Sequence, residues 1–243
     1  MAVDGREERK VNKITVVILA SSSDGSLDLM TRLNGEPLLA RTIDLIRSLP
    51  GNITCYGFAA DKRHRNYMTR RGIDCSPTPI VTHRKNFPRL VSGVVPVLQS
   101  EGREIRGTLS LLDPHYPFLD RNDIARAQKY MHDRKCGGLM AVVKSRRTPY
   151  HTLVESNGTV DFFTRKSHLT RVPMRQEAEL FYLPAGMMLV APSHLDPDGT
   201  LRTLDDAMCG WEVDEYKGLD VREKTDLALA HKLLHARDDR GHR

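Results

Sequence analysis

Two places in the sequence carry residues whose types and settings could do chemistry. One is the polar stretch Ser21-Ser22-Ser23-Asp24-Gly25, which stops the β-branched apolar run Ile14 to Ala20. The other is Asp113, which ends the shorter apolar run Thr108 to Leu112 and opens Asp113-Pro114-His115-Tyr116-Pro117. A loop of serines and glycine can donate hydrogen bonds to an anion, and a carboxylate can receive a cation or a proton. No residue pair has the spacing of a nucleophile and its base, so no covalent catalyst is named. Cys55, Cys75, Cys136 and Cys209 lie far apart, with no Cys-x-x-Cys and no Cys/His cluster at zinc-ligand spacing. They read as free, mostly buried thiols.

Charge narrows the class of ligand. Lys and Arg outnumber Asp and Glu by 37 to 31, a formal net charge of +6, which suits nucleotides, phosphosugars or nucleic acid. Much of the excess sits in local runs, Lys62 to Arg65, Arg70-Arg71, Lys144 to Arg147 and Arg237 to Arg243. These lack the aromatic interleaving of a base-stacking platform and read as solvated basic faces, which makes nucleic acid the unlikely partner. With 243 residues, 40% of them hydrophobic, one α/β domain can bury a stable core without staples. No apolar run approaches the roughly 18–20 residues that cross a bilayer. Met1 to Lys13 has no apolar secretory core, so a cytoplasmic protein is expected.

The elements that must position these residues follow from periodicity. Ile14 to Ala20 predicts a strand buried on both faces, and Pro37 to Leu49 a helix with Leu38, Leu39, Ile43, Ile46 and Leu49 inward. Asn52 to Ala60 is β-prone, Lys62 to Arg71 reads as a basic helix, and Arg89 to Gln99 as another, interrupted by Pro96. After Thr108–Leu112, Asp120 can cap a helix running from Ile124 to His132, and Leu139 to Val143 is again strand-like. This alternation predicts a parallel sheet in a three-layer α/β sandwich. Its ligand site would lie at the carboxyl ends of the strands, where the serine loop and Asp113 both fall. From 146 to 184 the pattern changes to a hairpin about Asn157-Gly158 and a basic stretch, read as an inserted arm. Gly186 to Ala191 returns to strand, and Glu223 to His235 forms a terminal helix. Residues 1–12 and 237–243 are expected to be flexible ends of a nucleotide-handling domain spanning 13–236.

In order and spacing, four segments resemble the acylneuraminate cytidylyltransferase family, which joins CTP to a sugar acid and releases pyrophosphate. They are Val16 to Thr42, with Leu33-Asn34-Gly35-Glu36-Pro37-Leu38; Leu111 to Leu119; Arg175-Gln176 with Tyr182 to Gly186; and Leu219-Asp220-Val221 with Thr225-Asp226-Leu227. Together they cover about nine tenths of a chain of domain size. The resemblance implies a modified Rossmann-like fold of the nucleotide-diphospho-sugar transferase type, a small dimerisation arm and a homodimer. It also implies CTP and an anionic acceptor as partners, and Mg²⁺ held on hard oxygen ligands.

Residue by residue, the resemblance places the phosphate loop at Ala20, Ser21, Ser22, Ser23 and Gly25. The family's Arg and Lys are missing there, Arg32 is the nearest substitute cation, and Asp24 and Asp28 would repel a triphosphate. Asp220 matches the first metal-ligating aspartate of the closing motif, but Arg222 stands where the second belongs. Asp113 could rebuild the pair, making Asp113 and Asp220 the expected catalytic and metal-binding residues. In the acceptor region His151 replaces a lysine, Ala185 replaces a sugar-binding Asn, and Arg175 and Gln176 match. Each position has a plainer alternative: the loop as a strand-to-helix turn, Asp113 as the start of an Asp-Pro turn, Asp220 as a helix cap, Arg175 as a salt bridge across the arm. These departures leave two functional readings, a cytidylyltransferase-like enzyme and a non-catalytic relative that keeps the fold and nucleotide binding.

Overall fold

A computed structural model describes residues 13–20, 26–77, 87–146, 152–156, 159–162, 180–195 and 208–241. Strand β1 (Lys13–Leu19) is buried from Ile14 onward, as its unbroken apolar run requires of a strand covered on both faces. A two-stranded hairpin, β2 (Arg32–Leu33) and β3 (Glu36–Pro37), follows in the chain. Asn34 and Gly35 both have positive φ, 53° and 85°, the turn that an Asn-Gly pair makes at least cost. Helix α1 (Leu38–Arg47) follows with Leu38, Leu39, Ile43 and Ile46 buried.

The remaining elements are β4 (Asn52–Phe58), α2 (Lys62–Thr69), β5 (Asp74–Ser76), α3 (Phe87–Ser100), β6 (Thr108–Leu112), α4 (Arg121–Asp133), β7 (Gly138–Lys144), the hairpin β8 (Leu153–Ser156) and β9 (Thr159–Phe162), β10 (Tyr182–Val190), β11 (Met208–Glu212) and α5 (Lys224–Gly241). Among the described residues, seven strands form one sheet in the order β11-β7-β10-β6-β1-β4-β5. All neighbours are parallel except β10, which runs antiparallel to both β6 and β7. The parallel sheet expected from alternation is therefore mixed. β10 enters from the opposite end, with Tyr182 opposite Lys144 and Val190 opposite Gly138 of β7. That reversal brings Gly186 beside Asp113.

The alternation of β1 side chains splits the core. Ile14, Val16 and Ile18 pack toward α1, α4 and α5, whereas Val17 and Leu19 pack with Val91, Val94, Val95 and Leu98 of α3. These are the outer layers of the three-layer sandwich. Pro96 lies within α3, which continues through it because the apolar face on both sides of the proline is buried against the sheet. Helix α5 reaches Gly241, past the His235 at which the sequence pattern ends it.

One correction concerns the cysteines. Cys136 and Cys209 form a disulfide with a Cα–Cα separation of 5.9 Å, across 73 residues of sequence. Parallel pairing of β11 with β7 sets Cys209 opposite Leu139, three residues past Cys136, a proximity that sequence spacing does not display. Cys55 and Cys75 are free and half-buried. Burial first, and then Cys75, push the Cys55 thiol up to about 12, so it is a poor nucleophile.

Asp120 caps α4 as its sequence position predicts. Its side chain accepts from the backbone N–H groups of Asn122 and Asp123, and Asp123 accepts in return from the Asp120 N–H at 2.8 Å. Two carboxylates so close require a cation. Lys217, from the 3₁₀ turn Glu215–Gly218, supplies it, donating to Asp120 at 2.8 Å and to both oxygens of Asp123 at 2.7 and 2.8 Å. Burial would lower the Lys217 pKa, but hydrogen bonds to the two aspartates hold it above the ordinary lysine range. This lock fixes the turn from which the chain reaches Asp220. Replacing Lys217 by Met leaves the buried Asp123 charge without its cation and is expected to cost about 3–5 kcal/mol in urea denaturation. A loss below about 1 kcal/mol would reduce the contact to the value of a surface pair.

Candidate functional site at the carboxyl ends of the strands

Asp113 follows directly on β6, and its backbone is tied on both sides. Its N–H donates to the Gly186 carbonyl at 2.9 Å, and its own carbonyl accepts from Tyr116 N–H at 3.1 Å. Its Oδ1 accepts from the His115 backbone N–H at 3.0 Å. The Asp-Pro turn proposed as a plainer role is thus real, and it presents the carboxylate rather than consuming it. Gly186 has φ +70°, and a Cβ there would sit 2.3 Å from the Tyr116 ring, so glycine is required by both backbone and space.

Asp220 and Arg222 lie between the Lys217 turn and α5. Asp220 does not cap α5. Asp226 does that work, accepting from the backbone N–H groups of Glu223 at 2.8 Å and Arg222 at 3.2 Å. Two further backbone bonds complete the junction: Val221 N–H donates to the His115 carbonyl at 2.8 Å, and Leu27 N–H to the Arg222 carbonyl at 2.7 Å. The exits of β1 and β6 and the approach to α5, far apart in sequence, meet at one place.

The side chains there form an ionic cluster. Arg222 Nη2 donates to Asp113 Oδ2 in a very short contact, and its Nε donates to Asp220 Oδ2 at 2.8 Å. Asp220 Oδ1 is also 2.8 Å from Nε, but that approach is not aligned as a hydrogen bond, and this buried oxygen has no hydrogen-bond donor among the described residues. His115 is buried. Its Nδ1 lies 2.9 Å from Asp113 Oδ1 and its Nε2 3.2 Å from the Leu27 carbonyl. Tyr116 donates to the Pro184 carbonyl at 3.3 Å. Burial first, then the charges of Asp220 and Asp113, hold its hydroxyl far above the usual tyrosine range, so it stays a donor.

Burial pushes both carboxyls up, and the partners decide the outcome. For Asp113 the hydrogen bond and charge of His115 and the Arg222 guanidinium overcome burial and hold the group below its ordinary value. For Asp220 burial prevails over Arg222, helped by the neighbouring Asp113 charge, and the group lies above its ordinary value.

The structure thus brings together Asp113 and Asp220 from the residues singled out in the sequence and adds His115, Tyr116 and Arg222. Arg222 appeared in the sequence only as a departure from a pattern, and His115 only as part of a turn. Ala20 is buried at the end of β1, its N–H bonded to the Phe58 carbonyl at 2.9 Å. Arg32 is exposed and donates within its own hairpin, to the Gly35 carbonyl at 2.8 Å. Asp28 is already compensated. It accepts from Arg63 at 2.6 Å and from Met30 N–H at 2.9 Å, and lies 2.8 Å from His64 Nε2. Burial raises its pKa, but these bonds, that of His64 foremost, hold it below its ordinary value. Ser21, Ser22, Ser23, Gly25, His151, Arg175 and Gln176 lie outside the described residues.

Mg²⁺ bridging Asp113 and Asp220 does not fit these residues. Both Asp113 oxygens are engaged, a guanidinium stands between the carboxylates, and only Asp220 Oδ1 is left for a cation. Among the described residues no group of three or more His, Cys, Asp or Glu could hold a metal ion. A cavity of about 650 Å³ opens elsewhere, at the amino end of β4 between the ends of α1 and α2. It is lined by Ile46, Arg47, Ile53, Cys55 and Arg71, and contains none of the site residues.

Three solved structures of CTP-using synthases superpose on this chain. CMP:2-keto-3-deoxy-manno-octonic acid synthetase complexed with CTP superposes with a TM-score of 0.60 at 14% identity, covering 93% of this chain and 99% of that one. A 4-diphosphocytidyl-2C-methyl-D-erythritol synthase from Anaerococcus prevotii gives 0.58 at 15% identity, covering 92% and 99%. Another synthase of that name gives 0.62 at 12% identity, covering 93% and 99%. This chain has their fold. Its sequence matches no family profile and no curated protein sequence. No described helix is long and apolar enough to cross a membrane.

The opposed shifts of the two carboxyls give a pH test. A carboxyl held low contributes stability that is present above its unfolded pKa, about 3.9 for Asp, and is lost as pH falls through its lower folded pKa. Asp113 and Asp28 behave this way, whereas Asp220 works in the opposite sense. Stability should therefore hold from pH 7 to 5 and fall below about pH 4. Asp113→Asn should lower stability at pH 7 and flatten the acid loss, and Asp220→Asn should cost less at pH 7. Urea midpoints measured from pH 7 to 2.5 check this; identical profiles for the two variants would refute the assignment.

Proposed function

We propose that this protein is a cytidylyltransferase-like nucleotidyltransferase, taking CTP and an anionic acceptor, an acidic sugar or a related acid, to a CMP conjugate and pyrophosphate. The observation that carries this reading is the convergence of Asp113, Arg222 and Asp220 with the exit of β1 at the carboxyl ends of the parallel strands. That is where open α/β sheets bind ligands, and the fold is shared with a synthetase solved with CTP. In the reaction an acceptor oxygen forms a bond to the α-phosphorus as the bond to the bridging oxygen breaks, and pyrophosphate leaves with that electron pair. The protein's part is to orient the phosphates and neutralise their charge, and Arg222 is the described cation in position to do so. Mg²⁺ enters as the counter-ion that the nucleotide carries, part of the substrate.

One observation favours the second reading, a nucleotide-binding relative without turnover: Arg222 is engaged by both carboxylates, and the second aspartate of the closing motif is absent. Thermal shift and pyrophosphate release with CTP, UTP, ATP and GTP and a panel of sialic and ulosonic acids separate the two. CTP should raise Tm more than the other nucleotides, and one of the acids should release pyrophosphate. A CTP-specific shift without turnover selects the binding relative. No shift with any nucleotide rejects both.

The same reading includes a homodimer. Leu153, Val160, Leu180, Tyr182 and Leu183 of the arm are large, apolar and exposed, and a second copy is the partner that would cover them. Val160→Asp with Leu183→Asp should convert a dimer to a monomer in sedimentation velocity at micromolar concentration. A wild-type monomer would reject the dimer.

A further inference from the structure

We propose that Arg222 occupies the place of a protein-bound divalent cation between Asp113 and Asp220, so that nucleotide phosphate is held here by the guanidinium rather than through a metal bridged to these carboxylates. The nucleotide half of this proposal rests on the function proposed above; the cation half rests on the ionic cluster alone.

Charge counting comes first. Two carboxylates converge, and Arg222 touches both. His115 Nδ1 lies 2.9 Å from Asp113 Oδ1, a further partner on the carboxylate that Arg222 grips. A divalent ion placed between the carboxylates would meet a fixed guanidinium within a few ångströms. Geometry comes second. The Arg222 backbone is anchored at both ends, its N–H on Asp226 and its carbonyl on Leu27 N–H, so the side chain starts from a fixed point. Nε and Nη2 are committed to the aspartates. Nη1 has no hydrogen bond among the described residues, and a guanidinium has five N–H donors, so part of its fork remains for a phosphate oxygen. Asp113, which Nη2 holds, follows directly on β6, so the guanidinium lies at the strand ends where an α/β sheet meets phosphate. Asp113 and Asp220 are then positioning residues for Arg222.

Two measurements test this. In the first, Mn²⁺ alone, the probe for a hard divalent site, is titrated into the protein and followed by electron paramagnetic resonance without nucleotide. Wild type should show no site that depends on the two aspartates. Arg222→Asp should gain one, at least about ten-fold tighter than any wild-type binding and lost on adding Asp113→Asn, because three carboxylates then face one point. A wild-type Mn²⁺ site abolished by Asp113→Asn or Asp220→Asn overturns the proposal whatever the nucleotide does. In the second, CTP is titrated by calorimetry with EDTA and with Mg²⁺. Wild-type affinity should differ less than about three-fold between the two. Arg222→Gln should weaken CTP in EDTA by about ten-fold or more, with Arg222→Lys recovering part of the loss, the size of a charge-assisted hydrogen bond. A wild type that binds CTP only with Mg²⁺, beside an Arg222→Gln that binds equally well, overturns it. If wild type binds no CTP under either condition while Mn²⁺ behaves as expected, the nucleotide half falls and the replacement of the cation stands. Urea midpoints establish that each variant is folded, and Arg222→Lys, which keeps the charge, serves where Arg222→Gln does not fold.

Discussion

The approach of Asp113 to Asp220 is the constraint around which this end of the molecule is built. Two partly buried carboxylates cannot be neighbours without compensation, because each has lost much of its hydration and each raises the other's cost of ionisation. Arg222 supplies that compensation from two residues beyond Asp220, and His115, two residues beyond Asp113, adds its backbone N–H and a ring nitrogen against Asp113 Oδ1. The same short segments exchange backbone hydrogen bonds with Leu27 and with each other. Charge and main chain thus impose one geometry, and neither carboxylate can move without exposing or orphaning a partner.

A second ionic knot, farther from the site, has the same logic. Lys217 neutralises the capping box of α4 and holds the turn leading to Asp220. At the opposite end of β7, the Cys136–Cys209 disulfide fastens the edge strand β11 to the start of that strand. The segment bearing Asp220 and Arg222 therefore leaves a strand secured covalently and passes through a turn secured by charge. Pre-organisation of this kind matters for phosphate chemistry, where the protein contributes position and field more than covalent steps.

The departures from the cytidylyltransferase pattern acquire a common physical sense when placed in the fold. Asp28, which by sequence would repel a triphosphate, is compensated by Arg63 and faced by His64. Arg32, the nearest cation in sequence, donates within its own hairpin. The substitution that reads as a lost metal ligand, Arg222, is the group that joins Asp220 to Asp113. The likeness to solved cytidylyltransferases extends to the fold, and identities of 12–15% are too low to carry residue roles across. The chemistry of this site has to be argued from its own side chains.

Much of the fold was legible because it is written in local periodicity. The doubly buried run of β1, the inward stripe of α1, the Asn-Gly hairpin, the Asp120 cap and the carboxyl-end position of Asp113 each depend on residues within a few positions of one another. What tertiary structure decided are the pairings across long sequence distances. β10 runs antiparallel to both of its neighbours, β6 and β7. Cys136 meets Cys209 because β11 lies beside β7. Lys217 finds Asp123, 94 residues away, and Arg222 finds Asp113, 109 residues away. A charged residue's type says that it needs a partner when buried, but only the folded chain selects which one, since Coulomb attraction and desolvation depend on separation in space and not along the sequence.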